Sequence, residues 1–237
     1  MSIADDLRES VRQHVENACI IVNTDDIPER DQVKLAAEAV QVEATALSID
    51  IRQFSGLTNA FGRQVVVRML RAFFEGSVRI VEGSSGTVAD FNGDGMIVLF
   101  AGADRTERAF RAASQIRWFL TEVLRPRFAK YFESDQFLKA RIEEFDAGCG
   151  LDDGLVLIGR VGSEGFNDIA WVGRCVNTAA KACKLAGSSK PIIATHEVYE
   201  RLDTSTFAGT VNWVPVDLIT VGGVQREVIA TSYVSKP

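Results

Sequence analysis

The sequence predicts an α+β fold, a mixed, mostly antiparallel sheet with flanking helices, on three observations. Apolar runs of strand length alternate with segments of helical period, and Gly93-Asp94-Gly95 reads as a tight hairpin turn leading into the apolar run Met96–Phe100. No low-complexity stretch or internal repeat divides the 237 residues. From the N-terminus, Ile3, Leu7, Val11, Val15 and Ala18 recur at helical spacing, and a second helix is predicted over Glu29–Ala44 after Pro28. Residues 1–42 therefore read as an N-terminal helical extension, packed on a partner subunit or on the domain's own core, and 43–237 as the main domain. Within it the pattern predicts a strand over 45–52, a helix over 61–81, a hairpin over 87–101 and a helix from Arg105 toward Tyr131. Strands 141–150 and 154–162 read as another hairpin. A strand 168–172, helix 174–186, strand 191–194, helix 196–202 and strands 210–220 and 226–234 follow. Residues 102–140, rich in Arg and Phe, read as an elaboration.

Composition bounds the function. With 46% hydrophobic and 24% charged residues the chain suits one large globular domain. A net charge of −6 and a pI near 5.1 argue against a broad nucleic-acid surface or a polybasic membrane anchor, so an anionic ligand needs local arginines. The N-terminus lacks a basic region followed by an apolar core, and no apolar run approaches the roughly 20 residues that span a bilayer. A cytoplasmic protein is expected. Cys19, Cys149, Cys175 and Cys183 form no Cys-x-x-Cys pair, and His14 and His196 are far apart, which disfavours a zinc site, a disulfide framework and histidine-based hydrolysis.

Two aspartates carry the chemistry. Asp50 follows the buried-strand pattern Ala46-Leu47-Ser48-Ile49, where an ionised carboxylate is costly without a cation. Asp94 taken alone fits a plain turn residue. On adjacent strands the two would face one site.

Four blocks in order make the chain resemble the class III nucleotide cyclases, the adenylate and guanylate cyclase catalytic domains. Asp50-Ile51-Arg52-Gln53-Phe54-Ser55 is similar to the family's first metal strand and phosphate loop, and Gly93-Asp94-Gly95-Met96 to its hairpin with the second metal aspartate. Gly148-Cys149-Gly150-Leu151 with Gly159-Arg160-Val161-Gly162 resembles the next hairpin, and Val172-Gly173-Arg174-Cys175-Val176-Asn177 the segment with the transition-state asparagine. The aspartates stand 94 − 50 = 44 residues apart, as in the family. The resemblance implies the class III cyclase fold, a catalytic domain over 43–237, and two Mg²⁺ or Mn²⁺ ions per site held by Asp50, Asp94 and the backbone carbonyl of Ile51.

Cyclising a nucleoside triphosphate requires the ribose 3′-oxygen to attack the α-phosphorus in line and expel pyrophosphate, a task suited to two divalent cations and hard oxygen ligands. Backbone N–H groups of Gln53, Phe54 and Ser55, on a turn opening a helix, suit the β- and γ-phosphates, with Arg52 a further phosphate candidate. Asn177 matches the family asparagine that orients the ribose. The arginine four residues on is here Lys181, which keeps the charge without the bidentate fork, so Arg174 or Arg160 would share its task. The family's C-terminal phosphate lysine has no clear match, with Arg226 as the nearest replacement.

At the base-selecting positions, a lysine and an aspartate or threonine in adenylate cyclases, this chain has Asp90 and Ala170. Asp90 is an acceptor and favours a base with an N–H at its pairing edge, as guanine N1 or uracil N3 presents. Ala170 removes the second polar contact and, with Trp171, implies a differently shaped pocket; an unsatisfied polar edge costs the wrong base roughly 1–3 kcal/mol. The chain also resembles the stand-alone pyrimidine cyclases of bacterial Pycsar anti-phage systems, where a cyclic pyrimidine nucleotide activates a separate effector. That resemblance implies UTP as substrate and cyclic UMP as product, with guanylate or cytidylate cyclase as enzymatic alternatives. A catalytically degenerate regulatory homologue is the alternative of another class, favoured by Lys181 and opposed by both aspartates and Asn177. Class III sites form between protomers, so the resemblance further implies a homodimer with shared active sites.

Overall fold

The computed structural model describes residues 2–237. In chain order the first half contains α1 (Ile3–Glu16), β1 (Ile20–Asn23), β2 (Glu38–Arg52), α2 (Phe54–Ala60), α3 (Arg63–Gly83), β3 (Thr87–Asn92), β4 (Gly95–Ala101) and α4 (Arg105–Trp118). After a π-helical segment, Phe119–Leu124, come α5 (Arg125–Tyr131), α6 (Gln136–Glu143), β5 (Asp146–Ser163), β6 (Phe166–Val172), α7 (Arg174–Leu185), β7 (Ile192–Thr195), α8 (His196–Arg201), β8 (Val214–Val221) and β9 (Val224–Thr231). The nine strands form one mixed sheet in the order β3-β4-β2-β5-β7-β9-β8, with β1 parallel beside β2 and β6 antiparallel beside β5.

The long strands β2 and β5 pair from Val40↔Ile158 to Arg52↔Asp146 and are covered on both faces, which is why β2 is buried almost throughout rather than on alternate residues. Leu47, Ile49 and Ile51 enter the larger core with Phe73 of α3, Phe110 of α4 and Phe145. Val42, Ala44 and Ala46 point the other way, to a second core with Val156, Ile158 and the α7 residues Cys175 and Ala179. Small residues let α7 lie close: a methyl group on Gly150 would stand 2.1 Å from the Ala179 carbonyl oxygen.

Two readings of the sequence need correction. The helix over Glu29–Ala44 does not form: residues 38–44 belong to β2, which runs unbroken through the 42/43 position, and residues 24–37 are irregular. Pairing on both edges of β2 outweighs the helical preference of its alanines. The irregular stretch is pinned by Ile27 and Val33 in the second core and by Arg160, which donates to the carbonyls of Val33 (2.6 Å) and Arg30, while Arg30 pairs with Asp168. Next, residues 136–143 are helical, and β5 continues through Asp152-Asp153-Gly154 where a turn between 150 and 154 was expected. Its buried carboxylates are met from remote parts of the chain: Arg105 and Thr45 donate to Asp153 at 2.8 and 2.7 Å, and Thr195 donates to Oδ1 of Asp152 at 2.7 Å while Asp152 Oδ2 is left without a partner among the described residues. The hairpin partner of β5 is β6 instead. The N-terminal helix α1 forms as expected and buries no residue against its own chain.

Candidate active site

Asp50 stands opposite Gly95 in the β2–β4 ladder and opposite Gly148 in the β2–β5 ladder. With glycine on both sides its carboxylate lies in a trough: a methyl group on Gly95 would meet Asp50 Oδ1 at 2.9 Å and Asn92 Oδ1 at 2.7 Å. Asp94 occupies the turn between β3 and β4, after Gly93 in the left-handed region (φ 76°), and its carbonyl accepts from the Ile51 N–H at 3.1 Å. The two aspartates thus share one end of the sheet. Burial pushes the Asp50 carboxyl above its ordinary range and the Asp94 charge pushes the same way, while Lys184 and Arg52 pull it back.

The trough, its two hard carboxylates and the cost of holding Asp50 ionised fit a divalent cation. No group of three or more His, Cys, Asp or Glu side chains arranged to hold a metal lies among the described residues. The remaining ligands would therefore be backbone carbonyl, such as that of Ile51, water and substrate phosphate, the mixed set Mg²⁺ and Mn²⁺ accept.

Just past Asp50 the chain turns sharply. Gln53 takes a left-handed conformation (φ 51°), ending β2 and opening α2, whose Gly56 and Leu57 N–H groups return to the Gln53 carbonyl at 2.8 and 3.3 Å. The Phe54 and Ser55 N–H groups precede any helical acceptor. Arg52 lies opposite Asp146, which is buried and gripped by Arg117 and Arg125.

A β-bulge aims Asp90. Val88 pairs with Val98 and faces the larger core, but the next pair is Asp90↔Ile97, so Ala89 is extra and Asp90 lies on the face of Ile97 and the second core. Asp50 projects from the same face. Ala170 is not brought to join them: it pairs with Gly159, and the alternation of β6 sends Ile169 and Trp171 into the second core and Ala170 to the other side of the strand.

Asn177 and Lys181 are one turn apart on the exposed stripe of α7, and Lys184 follows on the same stripe. The Lys181 ammonium donates to the Thr220 carbonyl of β8 at 2.7 Å. The suggested substitutes are engaged elsewhere: Arg160 holds residues 30–33, and Arg226 is buried against Glu197 of α8. Arg174, at the start of α7, is exposed. Sequence reading missed Lys184 and the glycines beside Asp50; the only signal for Lys184 is its position seven residues after Asn177.

No family model matches the chain. A uridylate cyclase of Gulbenkiania mobilis is 30% identical over 190 residues, covering 75% of this chain and 70% of its own. A uridylate cyclase of Burkholderia cepacia is 27% identical over 219 residues, 91% and 92% of the two chains. Among solved structures, an adenylyl cyclase of P. aeruginosa superposes with a TM-score of 0.69 at 20% identity, over 82% of this chain and 95% of its own.

Proposed function

Because the chain belongs to the family of the uridylate cyclases, within the class III nucleotide cyclases, we propose that it converts UTP to 3′,5′-cyclic UMP and pyrophosphate. The observation that carries this reading is the placement of Asp50 and Asp94 at one end of the sheet, with the bulge-aimed Asp90 on the face of Asp50. Asp50 and Asp94, with the Ile51 carbonyl, would hold two Mg²⁺ or Mn²⁺ ions. When bound, the ions lower the pKa of the ribose 3′-hydroxyl and neutralise charge on the departing pyrophosphate.

The chain's own groups do the rest. The Phe54 and Ser55 N–H groups, the Gln53 turn and Arg52 hold the polyphosphate tail in line with the leaving direction. The Asp90 carboxylate accepts from uracil N3–H, and a bare adenine N1 in its place leaves two acceptors facing each other. Asn177 orients the ribose, and Lys181 stabilises the equatorial oxygens at the α-phosphorus.

Asn177 lies about 10 Å along α7 from the helix end nearest Asp50, since seven residues rise ~1.5 Å each. That separation supports a reading in which a second protomer supplies Asn177 and Lys181 to the first protomer's aspartates in a homodimer with two shared sites. The described residues contain no helix long and apolar enough to cross a membrane. The product acts as a second messenger on a separate effector in anti-phage defence, as the likeness to stand-alone pyrimidine cyclases suggests.

The test is purified protein with Mn²⁺ and each of ATP, GTP, CTP and UTP separately, with products resolved by mass. Cyclic UMP is expected. Cyclic GMP returns the chain to guanylate chemistry, for which Asp90 also fits guanine N1–H, and no product from any nucleotide sinks the catalytic reading.

A further inference from the structure

The C-terminal end of α7 lies against the strand beside Asp50 of its own protomer. Gly148, the β5 partner of Asp50, is so close to α7 that a methyl group on it would stand 2.7 Å from the Ala186 Cβ and 2.9 Å from the Cys183 carbonyl oxygen. The Cys183 thiol lies 3.2 Å from the Gly148 carbonyl oxygen. Lys184 is the next residue, exposed, on the same stripe as Asn177 and Lys181. Unlike Lys181, which gives one ammonium donor to the Thr220 carbonyl, Lys184 makes no ion pair or side-chain hydrogen bond among the described residues.

We infer that Lys184 binds the β- and γ-phosphates of the substrate in the site formed by its own protomer's Asp50 and Asp94, so that α7 serves two sites: Asn177 and Lys181 reach the partner's aspartates while Lys184 serves its own. The inference rests on the shared-site reading above and adds a cis cation to it. A compact ammonium on a flexible stem suits a polyphosphate whose charge is already met in part by cations, because it adds a point charge without demanding a fixed bidentate geometry. The placement also sets Lys184 in the last turn of α7, where a cation offsets the partial negative charge that the helix end would turn toward the phosphates.

Two measurements test it. Lys184→Gln should weaken inorganic triphosphate binding, measured by calorimetry without divalent cation, and raise the KM for UTP, each by about 10-fold, with kcat changed far less and Lys184→Arg restoring most of the loss. Unchanged affinity and KM overturn the proposal. The second is subunit-specific. An Asp94→Ala protomer mixed with an Asn177→Ala protomer holds one complete site, whose aspartates come from the Asn177→Ala chain. Lys184→Gln added to that chain should reduce the rescued activity, and added to the Asp94→Ala chain should leave it unchanged. The reverse pattern, or equal loss from either chain, overturns the cis assignment. Heterodimers that form without any rescue overturn the shared site itself, and the triphosphate affinity and KM of Lys184→Gln then decide the role of Lys184 separately.

Discussion

Gly95 faces Asp50 across the β2–β4 ladder so closely that a single methyl group on its α-carbon would stand 2.9 Å from the carboxylate oxygen and 2.8 Å from the Ile49 carbonyl oxygen. The glycine is there for space, since the oxygens around it leave no room for a side chain. Gly95→Ala must part the two strands or turn the carboxylate, at a cost of about 1–3 kcal/mol. The expected result is a folded protein with lowered Tm and at least ~10-fold lower activity, the Mn²⁺ requirement shifting to higher concentration. Wild-type activity in a metal titration of this variant would remove the trough from the mechanism.

The carboxylate pair stores instability that a cation relieves. Asp50 has a raised pKa in the fold, because of burial first and Asp94 second. A group raised in this way contributes stability that is fully present below its unfolded pKa and lost as pH rises through the folded value. Metal-free protein at neutral pH therefore carries the penalty. Asp50→Asn should raise the Tm of the metal-free protein at pH 7 by about 1–3 °C, a discounted value for a half-exposed group. It should also abolish stabilisation by Mn²⁺ and catalysis. A lower Tm for the variant without metal would contradict this account.

Much of this site is legible in the chain because its signals are local. A carboxylate ending an apolar strand and a Gly-Asp-Gly turn before another apolar run need no tertiary information, and Asp50 and Asp94 meet as the hairpin pattern requires. Residues 29–44 misled for the opposite reason: their alanines favour a helix, and only pairing with β1 and β5 makes the second half a strand. Asp152-Asp153 reads as a turn until Arg105 and Thr45, which donate to Asp153, and Thr195, which donates to one oxygen of Asp152, are brought in from remote parts of the sequence. The bulge at Ala89 and the nearness of Lys184 to Asp50 depend on register and on the close approach at Gly148, which spacing alone does not encode.

The buried thiols give a simple check on packing. Burial pushes Cys149 and Cys175 up to about 12 and raises Cys183 further, whereas Cys19 is exposed. A thiolate-specific reagent at pH 8 should titrate one thiol rapidly in the native protein and four in denaturant. Two or more fast native thiols would mean that α7 does not seal against β5.

Asp146 anchors the helical elaboration to the strand beside the site. Burial alone would raise its pKa, but Arg117 first and Arg125 second outweigh it and hold the carboxyl low, with Ser188 donating at 3.0 Å. Arg117→Met leaves a buried carboxylate with only part of its compensation, at a cost of about 3 kcal/mol. Urea unfolding should show a lower midpoint at unchanged slope. In the wild type this pair's contribution should fade only as pH falls through the depressed Asp146 pKa. A variant as stable as wild type would mean Arg125 suffices.

Asp90 tests how the base is read. The bulge between Val88 and Asp90 turns its side chain onto the face of Asp50; with regular alternation it would face the larger core, where a carboxylate has no partner. An acceptor there rewards an N–H on the base, and a hydrogen bond to a charged group is worth about 1.5–3 kcal/mol. Asp90→Ala should lower kcat/KM for UTP by about 10–100-fold, with triphosphate affinity nearly unchanged because the tail is held elsewhere. Asp90→Lys should do at least as much damage to UTP and GTP, since it places a donor against a donor. If both variants keep the wild-type ranking of the four nucleotides in a competition assay, Asp90 has no part in base recognition, and the selecting contact must come from the half-buried Trp171 or from the partner protomer.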